Sequence, residues 1–315
     1  MTGALPALDR VVVRDVGPRD GLQPEAPVSV EDRIRLIESL VVAGLTRIEV
    51  AAFVSPKAVP AMAGAADVVA GLTRPEGVTY AALVPNVRGA ELALAAAVDE
   101  LTVTISASAT YNERNVKMSI DESVDAIESI TALAGTASVP VDAVISCCFG
   151  SPYEGEITAS QVLTLARRLE QAGVTSLTYA DTTGMATPRL VVELTEAIPG
   201  GVGWMDTGLH LHDTRGTGLV NAYAALQQGV ARFDTAVGGL GGSPFAHGAG
   251  GNLATEGLVA LLDDLGVRTG IDLDRLLEAA ELLGTLVDRT LPSPIAHHGP
   301  RTRPAPPTRT IRQDT

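Results

Sequence analysis

Aromatic residues make up only 3% of this 315-residue chain, and its two cysteines, Cys147 and Cys148, are neighbours. A core built on large rings is therefore excluded, and Ala, Gly and Val must supply the bulk, as in tightly layered α/β proteins. Adjacent cysteines make no disulfide framework, which points to a reducing compartment. Basic charge is also short: 23 Lys and Arg face 37 Asp and Glu, a net charge of −14. That balance argues against a nucleic-acid partner. It also means that any anion must be met by locally placed Arg or Lys. No apolar run is long enough to span a membrane without charged or helix-breaking interruptions, and no signal peptide opens the sequence. The expected setting is cytoplasmic, away from membranes.

What the chain has is hydrophobic residue, 46% of the total, enough for a large core. Apolar, β-branched runs recur at 10–15, 47–53, 79–84, 101–106, 141–149, 176–181, 208–213 and 232–238. Helical patterns fill the intervals, several ending in Gly, with Ser29, Ser119, Thr158 and Thr187 placed as N-caps. Eight strand–helix units predict an α/β fold, the (β/α)8 TIM barrel. A doubly wound sheet usually carries a Gly-rich turn after its first strand, whereas here that strand leads into Gly-Pro-Arg-Asp-Gly. Residues 1–291 read as one barrel domain whose last part, DLDRLLEAAELLGTLVDRTL, adds helices beyond the eighth unit. From residue 292 to 315 the composition turns to Pro, Arg, Thr and His, the pattern of a disordered tail.

His210 and His212, in GLHLHDTRG, stand two apart in a predicted strand, so both imidazoles point to one face. An exposed strand gains little from that, while a divalent metal gains two nitrogen ligands. Barrel enzymes carry their chemistry at the C-terminal ends of the strands. Arg19 and Asp20 follow strand 1, Glu49 lies in strand 2, Asp181 ends strand 6, and a Gly-rich segment ending at Asn252 follows strand 8. Asp20, His210, His212 and Asn252 thus supply two oxygens and two nitrogens at one mouth. Such mixed ligation without thiolate suits Mg²⁺ or Mn²⁺. Structural alternatives stand beside these roles: a stabilising ion pair for Glu49, and helix capping for Asp181 and Asn252.

The stretches GPRDGLQPE (17–25), FVSPKAVP (53–60), SPYEG (151–155), HDT (212–214) and GNLATE (251–256) together resemble the 3-hydroxy-3-methylglutaryl-CoA lyase family, metal-dependent barrel enzymes that cleave or form carbon–carbon bonds. The resemblance runs from about residue 11 to 291. It implies an acyl-CoA substrate, a homodimer, and a divalent cation held by Asp20, His210, His212 and Asn252. Arg19 would stabilise the enolate, and His210 or a nearby carboxylate would take the substrate hydroxyl proton. Gln23, Asn115, Ser119, Thr178 and Glu256 would surround the substrate, with Glu49 and Asp181 bracing Arg19 and the ligands. Where the lyases carry a loop cysteine as proton donor, this chain has Ser243. Ala52, Val144 and Thr178 stand where serine, tyrosine and serine are usual. These departures imply a roomier, more apolar acyl pocket and leave three readings open. The chain is a lyase for a 3-hydroxy-3-methylglutaryl-CoA-like substrate; or it handles another 3-hydroxyacyl-CoA such as citramalyl-CoA, or condenses; or it is a non-catalytic metal- and CoA-binding protein.

Overall fold

Eight parallel strands close on themselves in chain order in the computed structural model, which describes residues 8–242 and 250–301. They are β1 (Val12–Asp15), β2 (Arg47–Ala52), β3 (Thr79–Leu83), β4 (Glu100–Ser106), β5 (Val141–Ser146), β6 (Ser176–Ala180), β7 (Thr207–His210) and β8 (Arg232–Thr235). Closure comes from β1 against β8, with Val12 beside Arg232 and Asp15 beside Thr235. The ring of helices comprises α1 (Val30–Val42), α2 (Ala65–Gly71), α3 (Val87–Ala95), α4 (Ala109–Val116), α5 (Ile120–Thr136) and α6 (Ala159–Gln171). It continues with α7 (Pro188–Ala197), α8 (Gly218–Gln227), α9 (Thr255–Asp264), α10 (Leu273–Val287) and α11 (Pro294–His298). The TIM barrel expected from the strand–helix alternation is the observed fold.

The helices start where their caps dictate. Ser29 accepts the Asp32 N–H at α1, and Thr187 accepts the Leu190 N–H at α7. Ser119 with Glu122, and Thr158 with Gln161, close full capping boxes on α5 and α6.

The barrel interior is not wholly apolar. Arg14 of β1, buried, forms ion pairs with Glu100 of β4, Asp142 of β5 and Asp234 of β8. Arg232 of β8 donates to Asp142 as well, at 3.1 Å. Charges buried this deeply survive only when paired and hydrogen-bonded. The two arginines hold the Asp142 carboxyl down at about 2 against the upward push of burial.

The predicted tail needs correction. Residues 293–301 are part of the packed structure: buried Ser293 caps α11 and its N–H reaches Gly238 O at 3.3 Å. Arg301 pairs with Asp264 of α9. The Pro-, His- and Arg-rich composition concealed a short helix with Pro294 at its start, a position that proline favours.

Candidate metal and active site

The segment after β1 carries the first two site residues. Gly17–Gly21 winds into a π-helical turn in which Val16 O accepts the N–H groups of Arg19 (3.1 Å), Asp20 (2.7 Å) and Gly21 (3.2 Å). Such turns are rare and cluster at functional sites. Asp15, at the strand end, anchors it. One carboxylate oxygen accepts from Gly17 N at 2.7 Å, the other from Val237 N at 2.9 Å and the Thr255 hydroxyl at 2.7 Å. The β1 loop, the β8 loop and α9 are thereby fixed to one buried carboxyl.

Arg19 is held from two sides. Its Nε donates to Glu49 Oε2 at 2.5 Å and its Nη1 to Asp20 Oδ1 at 2.7 Å. Burial opposes its charge, but Glu49 and then Asp20 outweigh it and raise its pKa. Register between β2 and β3 shifts at Glu49, a bulge that re-aims side chains at barrel rims. Glu49 is thus an ion-pair partner, and its partner is the arginine that the resemblance makes functional.

β7 ends at His210, so His212 lies beyond the strand and makes an isolated antiparallel bridge with Asn252. The alternation persists past the strand end, and the two rings still converge, Nε2 to Nε2 at 3.2 Å. Ligand atoms of Asp20, His210 and His212 all lie within 4.8 Å of one another. Asn252 donates through Nδ2 to Asp20 Oδ2 at 2.7 Å and to Leu240 O at 2.9 Å. Its Oδ1 is buried with no partner among the described residues. Helix α9 begins later, with Ala254 in the capping position, so Asn252 caps no helix. Gly241, at φ +112°, passes so close that a Cβ there would collide with Asn252 Nδ2.

These atoms fit the implied cation on their own terms. His212 Nδ1 lies 3.1 Å from Gly250 O, and a carbonyl only accepts, so Nδ1 carries the proton. Burial, then the charge of His210, pushes the His212 pKa down to about 4, so the ring is neutral and Nε2 offers a lone pair. Asp20 is ionised: burial works against the charge, but Arg19 and the histidines hold its pKa below the usual value. Two imidazole nitrogens and a carboxylate within 4.8 Å of one another, with the Asn252 amide bonded to that carboxylate, make a nitrogen- and oxygen-lined seat for a hard or borderline divalent ion.

Asp181 sits beside this group, its N–H donating to His210 O at 2.8 Å. Its Oδ1 accepts from Ala186 N at 2.8 Å, tying down the β6–α7 loop, while Thr187 caps α7 itself. Asp181 Oδ2 is buried with no partner among the described residues, and burial pushes the carboxyl up to about 7. Glu256, buried in α9, accepts from Gly238 N through both oxygens at 3.2 Å and so braces the β8 loop. Gln23, half-buried, follows the π turn, its N–H 3.4 Å from Asp20 O.

Two of the expected substrate contacts, Ser119 and Thr178, have hydroxyl partners within the fold. Ser119 spends its hydroxyl on the α5 capping box. Thr178 donates to Asp142 Oδ2 at 2.9 Å within the buried ionic layer. Asn115 lies half-buried on α4. Ser243 and His247 fall in residues 243–249, outside the described residues. Cys147 and Cys148 are free and buried, and burial pushes the Cys147 thiol up to about 12, which disfavours its thiolate. Sequence reading missed Asp15 and the Arg14–Asp234 pair under His210. The available signal was charge inside apolar strands, since a strand of a closed parallel barrel has no exposed face to carry it.

This arrangement can be set beside known proteins. Over 287 residues, 91% of this chain and 95% of its relative, the chain is 43% identical to a 3-hydroxy-3-isohexenylglutaryl-CoA/hydroxymethylglutaryl-CoA lyase of Pseudomonas aeruginosa. It is 41% identical to a hydroxymethylglutaryl-CoA lyase of Bacillus subtilis, over 92% of this chain and 97% of that one. A solved HMG-CoA lyase from A. baumannii, in complex with coenzyme A and 3-methylmalate, superposes with a TM-score of 0.90 at 38% identity, covering 95% of this chain and 98% of that chain. The HMGL-like family model matches residues 10–283, a span that contains every ligand atom described above, and the chain belongs to the HMGL-like family.

Proposed function

We propose that this protein is a divalent-metal-dependent carbon–carbon lyase that cleaves a 3-hydroxyacyl-CoA, with 3-hydroxy-3-methylglutaryl-CoA giving acetoacetate and acetyl-CoA. The observation that carries the reading is the convergence of the ligand atoms of Asp20, His210 and His212, with the Asn252 amide hydrogen-bonded to Asp20 beside them. Arg19 stands beside them, clamped by Glu49. A bound Mg²⁺ or Mn²⁺ there would act as a Lewis acid on the substrate's hydroxyl and carbonyl oxygens. Asp181 Oδ2, a carboxylate oxygen with no partner among the described residues, takes the hydroxyl proton. The C–O bond becomes a ketone as the C2–C3 bond of the acyl chain breaks, and the electron pair moves onto the thioester as an enolate. Arg19, permanently charged and held in place, stabilises that oxyanion. Carbon protonation falls to residue 243, where a serine hydroxyl is a far weaker acid than a thiol. The assembly that the family implies is a homodimer, in the cytoplasm.

A second reading concerns the acyl group. The Thr178 hydroxyl is committed to Asp142, and the buried residue at 52 is alanine, so neither offers a donor to a polar substituent. That favours a larger apolar group on C3 than methyl. An acyl-CoA panel with Mg²⁺ and Mn²⁺, its products identified by mass spectrometry, tests both readings. Cleavage of the methylglutaryl thioester supports the first, and preference for a bulkier homologue supports the second. Metal binding without cleavage of any 3-hydroxyacyl-CoA overturns the enzyme reading.

A further inference from the structure

Beneath the site, His210 is not left to choose its own tautomer. Its Nδ1 faces Asp234 Oδ2 at 3.4 Å, and Asp234, 2% exposed, is gripped along both oxygens by Arg14. Arg14 Nε donates to Asp234 Oδ1 and Nη2 to Oδ2, each at 2.8 Å. We propose that Asp234, locked by Arg14, is a positioning residue that keeps the proton of His210 on Nδ1 and so presents a bare Nε2 to the metal. The inference rests on the metal-site reading and extends it one layer down, to residues that touch neither metal nor substrate.

The chemistry follows from what each atom can do. Asp234 stands as a carboxylate because the permanently charged Arg14 donates to both of its oxygens, each at 2.8 Å. An ionised carboxylate only accepts, so the His210 nitrogen facing it must donate. With Nδ1 committed to Asp234, Nε2 is the nitrogen left for the metal, and it lies 3.2 Å from His212 Nε2. His212 is set the same way by Gly250 O. Both rings therefore carry their outer protons on fixed acceptors and turn Nε2 to one place, where a metal would take a lone pair from each. Carboxylate–histidine–metal chains of this kind fix ring orientation and raise ligand basicity.

Arg14 also makes the test specific. In Asp234→Asn, one oxygen becomes an NH2 group. Arg14 Nε has only Oδ1 as a partner, whereas Nη2 also bonds Asp142 Oδ2 at 2.8 Å. The amide oxygen therefore stays on Nε, and the NH2 turns to His210. Facing a donor, Nδ1 must become the acceptor, and the proton moves to Nε2, where the metal binds.

Mn²⁺ affinity of the purified protein, measured by calorimetry without substrate, reads this directly. D234N should bind Mn²⁺ on the order of 10–100-fold more weakly than wild type, the usual cost of losing such a partner. Glu100→Gln is the control. It removes an equally buried charge from Arg14 without touching His210, and should leave Mn²⁺ affinity unchanged. A merely structural role would give both variants wild-type affinity or weaken both alike, and either result overturns the proposal. Should D234N fail to fold, the Mg²⁺-loaded wild type decides by NMR. A downfield, slowly exchanging proton on His210 Nδ1 is expected, and a rapidly exchanging one overturns the assignment. Failure of the wild type to bind Mn²⁺ at all would overturn the metal-site reading and this inference together.

Discussion

At the scale of single residues, Arg19 makes the sharpest case. Its guanidinium meets Glu49 through Nε and Nη2 and Asp20 through Nη1, a planar group fixed from two sides next to a candidate ligand. A lysine keeps the charge but cannot reproduce that planar group. We expect Arg19→Lys to retain the fold by circular dichroism and to lose on the order of 10²–10³-fold in kcat, the range for removing an oxyanion donor. Wild-type turnover in that variant would remove Arg19 from the reaction. Asp15 yields a pH prediction. Burial pushes its carboxyl up to about 7, so the folded protein binds a proton there that the unfolded chain releases near 4. That proton stabilises the fold fully below about 4, and its contribution is lost as pH rises through about 7. Asp15→Asn mimics the protonated form at all pH values. Denaturant unfolding at pH 5.5 and 8 should therefore show wild type losing more stability over that interval than D15N, by up to ~1.4 kcal/mol per pH unit. Parallel pH profiles would count against a raised Asp15. The candidate ligands were legible in the sequence because two histidines at strand spacing stand with Asp20 and Asn252, each following a predicted strand of one barrel. Asp15, Arg14 and Asp234 were not, because their meaning lies in partners about 220 residues away along the chain.

Elements were easier to read than side-chain destinations. All eight strands fall where the apolar runs place them, and Ser29, Ser119, Thr158 and Thr187 each cap the expected helix. Caps are local, so the sequence carries their full signal. Inward-facing strand residues are set instead by barrel closure, which is why Thr178 was expected beside an acyl group yet bonds Asp142. Ser119 tests the distinction. If the hydroxyl serves α5 alone, Ser119→Ala costs about 1 kcal/mol of stability. In that case kcat and KM stay at wild-type values. A raised KM at unchanged stability would return Ser119 to the substrate.

On the scale of the whole molecule, the C-terminal segment and the metal site share one piece of backbone. Gly238, at φ +73°, opens the loop after β8 that leads through Gly241 to Asn252, the ligand proposed above. Its N–H is held by Glu256 of α9 and its carbonyl accepts the N–H of Ser293. A Cβ at Gly238 would press into Leu291 at 2.9 Å, so this glycine is packed directly against the segment that leads into α11. Helix α11 makes few contacts of its own, and its proline- and histidine-rich sequence gave no hint of this role. Its contribution is to complete the surroundings of Gly238 from outside the barrel. Ending the chain at Leu291 removes Ser293 and α11 while leaving every strand, Glu256 and all four ligand residues in place. We expect that truncation to keep barrel-like circular dichroism, to melt at a lower temperature, and to bind Mn²⁺ more weakly, because Asn252 is the ligand that this loop carries. Ser293→Ala should move both properties in the same direction by less, since its N–H still reaches Gly238 O. A truncated protein with wild-type Mn²⁺ affinity would show that the loop is fixed from the barrel side alone, through Asp15 and Glu256.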